Sequence, residues 1–63
     1  MNNDVKNLKL AIQKKELSIE RYSDQIKAFE DPQVNALLEG ILHNEMRHKA
    51  DLENHLSRLS KGD

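Results

Sequence analysis

The chain contains no cysteine. That excludes disulfide staples, thiolate metal ligands and a thiol nucleophile, and it suits a reducing cytoplasm, the expected location. One Phe, one Tyr and no Trp leave no platform on which single-stranded bases could stack. A single proline and two glycines leave no glycine-rich loop to cradle a phosphate and little to interrupt regular structure. No charge sign dominates: ten Lys plus Arg stand against eleven Asp plus Glu, for a net charge of -1. With the signs mixed along the chain, no basic face forms, and no nucleic-acid partner is expected. No apolar run approaches the roughly 20 residues that span a bilayer, so no membrane partner is expected either. The opening Met1-Asn2-Asn3-Asp4-Val5 lacks the basic-then-apolar pattern of a signal peptide. No catalytic nucleophile or triad is identified.

What is present is regular spacing. Although 33% of the residues are charged, apolar positions recur at helical intervals throughout, which argues against disorder. A 3,4 spacing picks out Val5, Leu8, Ile12, Lys15, Ile19, Tyr22, Ile26 and Phe29. A 4,3 spacing picks out Val34, Leu38, Ile41, Glu45, His48, Leu52, His55 and Leu59. The pattern predicts an all-α fold over residues 1–63: a first helix over about 4–29, a turn at 30–31 and a second helix over about 32–60. Asn3 or Asp4 is the expected cap of the first helix. Pro32 disfavours a helical Asp31 but suits the first position of a helix, so Asp31 is expected to cap the second. Fraying is expected through Lys61-Gly62-Asp63. Gly40 lies inside the second helix, either admitting a close contact or facing solvent.

So short a turn permits only an antiparallel hairpin. Each helix would be roughly 40 Å long. Leu10 and Leu17 on the first, and Leu37, Leu42 and Leu56 on the second, are read as flanks that widen the apolar stripe beyond what one partner helix covers. A chain of 63 residues also buries too little apolar surface to be comfortable alone. The predicted remedy is a homodimer, two hairpins closing a four-helix bundle, with a higher homo-oligomer left open.

Both seams carry ionisable groups where a simple hairpin would carry leucine. Glu45 and His48 stand three apart on one helical face and can approach one divalent ion; carboxylate oxygen with imidazole nitrogen suits iron, manganese or zinc. Lys15 faces them from the other seam. Two readings follow: metal binding by Glu45 and His48, with Glu16 as an added ligand, or a core polar network of Lys15, Tyr22, Glu45 and His48 in which a Lys15–Glu45 ion pair replaces metal. Tyr22 either joins that network or is a core aromatic with its hydroxyl in water. His55 lies about 10 Å along the axis from His48, too far to share its ion, and reads as partly exposed. His43 reads as surface.

Leu10-Ala11-Ile12, Ile19-Glu20-Arg21-Tyr22, the Asp31-Pro32 turn, and Glu45-Met46-Arg47-His48 ahead of Leu52 give residues 8–59 a resemblance to one hairpin of the ferritin-like, rubrerythrin-like di-iron carboxylate proteins. The resemblance implies a half-bundle that dimerises, with Glu45 and His48 as the second-helix ligands and Tyr22 as the tyrosine that follows the first-helix glutamate by seven residues. At that first-helix position this chain has Lys15. The resemblance thus implies a ferritin-like hairpin with a degenerate di-iron-type site that binds iron or another divalent metal. The alternative is a non-catalytic oligomeric structural or adaptor module with a buried Lys15–Glu45 network and no cofactor.

Overall fold

The computed structural model describes residues 2–61, and the side chains of residues 3–60. It consists of two helices, α1 (Asn2–Ala28) and α2 (Pro32–Lys61), with no strand among the described residues. Lys, Gln, Leu, Glu and Ala dominate α1, and no Gly or Pro interrupts it. It already includes Asn2, so Asn3 and Asp4 lie inside its first turn rather than capping it. There the Asp4 carboxylate complements the positive end of the helix dipole. At the other end Phe29 falls one residue beyond the helix, its N–H donating to the Gln25 carbonyl at 3.2 Å. Of the fraying expected at the C-terminus, Lys61 is still helical, and Gly62-Asp63 lie outside the described residues.

The turn is built by side chains. The Gln33 N–H donates to Asp31 Oδ1 at 2.8 Å, and the Val34 N–H reaches the same oxygen at 3.4 Å. Asp31 therefore satisfies first-turn donors of α2, whose own first turn holds no acid. Asn35 locks the other side, its Nδ2 donating to the Phe29 carbonyl at 2.9 Å, while its Oδ1 is buried without a partner. Asp31→Ala is expected to cost about 1 kcal/mol, read as a lowered midpoint in urea with an unchanged slope.

Leu8 and Leu59 line one hollow, Lys15 meets Glu45, and Asn35 meets Phe29, so the helices run antiparallel along their whole length. Among the described residues only Ile12 and Leu38 are buried, at 8% and 9% exposure. Val5, Leu8, Lys15, Ile19, Tyr22 and Ile26 are half-buried, which follows the α1 seam, but Phe29 at its end is 48% exposed. Leu10 and Leu17 do not flank that seam. At about 100° per residue they stand roughly 140–160° from Ile12, on the back of the helix, and both are exposed.

On α2 the face turned toward α1 is rotated from the expected one. Leu42, Glu45, Lys49, Leu52, Leu56 and Leu59 are half-buried, whereas His48 and His55 are exposed; Val34 and Ile41 are half-buried on the flank. The two possible rows share Leu38, Glu45, Leu52 and Leu59. Between them, Leu42, Leu56 and the alkyl stem of Lys49 offer α1 more apolar surface than Ile41 and two imidazoles, and the helix turns accordingly. Gly40 faces open space, and a Cβ added there would meet nothing within 4 Å. Gly40→Ala is therefore expected to stabilise the protein by about 1 kcal/mol, raising its melting temperature by about 4–8 °C.

The hairpin is extended, with a radius of gyration of 14.6 Å. A compact chain of this length has a radius of about 10.6 Å. It exposes 5150 Å². A folded monomer of its mass exposes about 4,200 Å². One layer of two helices has only one contact line in which to hide apolar side chains, and the surplus surface is the result.

Candidate functional site

Halfway along the hairpin the apolar seam is interrupted by a charged layer. Lys15 comes from the inner face of α1 and Glu45 from the inner face of α2, at the same level because the helices are antiparallel. Lys15 Nζ donates to Glu45 Oε2 at 2.7 Å. Ser18, one turn on from Lys15, donates through Oγ to Glu45 Oε1 at 3.2 Å. Both carboxylate oxygens are thus engaged by α1. The Glu45 side chain is 17% exposed and that of Lys15 32%, so the pair is shielded but not sealed.

His48 lies at the rim. Its Nδ1 is 3.9 Å from Glu45 Oε2, and its side chain is 59% exposed. That distance is electrostatic contact without a hydrogen bond. Tyr22, one turn past Ser18, is half-buried, and among the described residues no hydrogen bond joins it to Lys15 or Glu45. Glu16 turns to the opposite side of the hairpin, where Oε1 stands 4.0 Å from Lys49 Nζ. It does not join Glu45 and His48. His43 and His55 are both exposed.

Of the residues singled out from sequence, the structure brings together Lys15, Glu45 and, more loosely, His48. It adds Ser18, which the seam pattern missed. The available signal was its position three residues after Lys15, which sets a hydroxyl beside the same partner. Among the described residues no cluster of three or more His, Asp or Glu side chains is placed to hold a metal ion. As arranged in one hairpin, a single carboxylate, an imidazole and an ammonium do not fit a di-iron pair. The Lys15 ammonium stands 2.7 Å from Glu45 Oε2 and repels a further cation there.

The Lys15 hydrogen bond holds the Glu45 carboxyl below its ordinary value, helped by the Ser18 hydroxyl and opposed by partial burial. A carboxyl depressed in the folded state binds fewer protons there than when unfolded. Its contribution is complete above the ordinary glutamate range of about 4–5 and is lost as pH falls through the depressed value. Melting temperatures between about pH 3 and 7 should therefore fall toward acid, and Glu45→Gln should flatten that slope. An unchanged slope in the variant would assign the acid sensitivity to other carboxylates.

Among the described residues no helix is long and apolar enough to cross a membrane. Compared with known proteins, the chain matches no family model, no curated protein and no solved structure.

Proposed function

We propose that the chain is a non-catalytic, self-associating helical module of the cytoplasm, a structural or adaptor hairpin that pairs with itself into a four-helix bundle. The observation that carries this reading is the engagement of Glu45: Lys15 and Ser18 each hold one of its oxygens from within the same chain. A carboxylate so engaged serves as a polar register mark in an apolar seam, a role in which buried polar groups have precedent. The surplus of exposed surface and the near absence of buried side chains support self-association. A net charge of -1 leaves two copies little to repel.

A second reading, iron binding in a ferritin-like dimer, is favoured by one feature. His48 stands beside Glu45 on the open side of the hairpin, where a second copy can add another such pair. Metal analysis of protein purified without chelator, together with its mass by sedimentation, separates the two. The proposal expects a dimer with metal far below one ion per chain. One or more tightly held iron ions per chain would overturn it, and a helical monomer at micromolar concentration would remove self-association from either reading.

A further inference from the structure

The two broad sides of the hairpin differ in charge, and two contacts label them. On one side His48 and Ser18 approach the Glu45 carboxylate, at 3.9 and 3.2 Å. On the other, Glu16 and Lys49 stand 4.0 Å apart. Side chains recur on one side of a helix at intervals of three, four and seven residues. Carried along from Glu16 and Lys49, that rule puts Lys9, Glu20, Lys27 and Glu53 on their side, with half-exposed Met46 and the half-buried Leu42 and Leu56 among them, a surface whose outer part is mostly charged. Carried along from Ser18 and His48, it puts Ala11, Tyr22, Phe29, Leu37, Ile41 and His55 on the other. Lys14 and Asp51 stand at the outer rim of that second face, Asp4 and Arg58 join His55 around a hollow at its open end, and its middle holds the mutually neutralised Lys15 and Glu45. Phe29 and Leu37 on it are 48% and 65% exposed.

We infer that this more apolar face, and not the Glu16–Lys49 side, is where a second copy of the chain docks. The inference rests on the self-association proposed above and names its surface. Area agrees with one further copy. The hairpin's 5150 Å² exceeds what a folded monomer of its mass exposes by nearly 1,000 Å², against about 800 Å² buried per partner in a standard interface. Register agrees as well. Lys15 is near the middle of Asn2–Ala28 and Glu45 near the middle of Pro32–Lys61. A two-fold axis that lays this face on its copy over the full length sets each neutral layer against the other and brings the apolar side chains of both copies into one interface. Docking on the opposite side would desolvate Glu16, Glu20 and Glu53 together with Lys9, Lys27 and Lys49.

The chain has no cysteine, so single thiols can report on each side. In Leu37→Cys, alkylation by iodoacetamide should slow at least about tenfold as protein concentration rises through the dimer range, while Met46→Cys, beside Lys49, should react at a constant rate. Leu37→Glu should weaken the dimer about 100-fold or more in sedimentation, and Met46→Glu should leave it intact. A dimer that protects Met46→Cys, or both positions equally, overturns the assignment of the face while self-association stands. A chain that stays monomeric at all concentrations overturns self-association itself.

Discussion

Ile41→Asp is expected to abolish the helical signal and the dimer together. Ile41 is half-buried beside the inner face of α2 and belongs to the proposed docking face, so a carboxylate there is desolvated by α1 and again by a second copy. A penalty of at least about 3 kcal/mol is set against a total stability on the order of 5 kcal/mol for a chain this small. Circular dichroism and sedimentation at the same micromolar concentration read both losses. A variant that keeps its helices while becoming monomeric would show that the hairpin folds without its partner. A variant that keeps both would place Ile41 in solvent.

Lys15→Glu is expected to reverse the character of the polar layer. The ammonium 2.7 Å from Glu45 disappears, and a second carboxylate takes its place. Without metal, the two acids repel, their protonation shifts upward, and the melting temperature falls at neutral pH. The substitution also supplies an acid seven residues before Tyr22, where the ferritin-like pattern has one. Ferrous iron should then stabilise the variant, by about 2.7 kcal/mol at a hundredfold excess over its dissociation constant, while wild-type melting is unmoved. Melts of both proteins, with and without metal under anaerobic conditions, provide the comparison. Iron stabilising the wild type to the same degree would mean that Lys15 swings aside and that the metal-binding reading is correct. A metal-free variant as stable as wild type would mean that the Lys15–Glu45 contact contributes nothing in solution.

The two helices and the point where they part were legible residue by residue. Asp31-Pro32 dictates its own geometry: the proline ring fixes one dihedral, and the aspartate oxygen is held within reach of the next amides. The pairing of Lys15 with Glu45 could also be read, because a short turn forces antiparallel alignment and so sets which levels of two helices meet. These are local or one-dimensional matters, settled by a few neighbouring residues or by counting along the chain.

Rotation is different. On α2, Leu38, Glu45, Leu52 and Leu59 belong to either of two rows, one running through Ile41, His48 and His55 and the other through Leu42, Lys49 and Leu56. Both satisfy a helical period, so spacing has no preference. The choice is made by the surface of α1, which covers one row and leaves the histidines of the other in water. The same packing brought the Ser18 hydroxyl to Glu45, whereas the place of Leu10 and Leu17 at the back of α1 follows from 100° per residue and could have been counted from the sequence. By itself, then, the sequence determined helix, turn and level, which depend on backbone preference and chain length. Only the tertiary structure decided which side chains at each level face inward, because that depends on how much apolar area two particular surfaces remove from water when they meet.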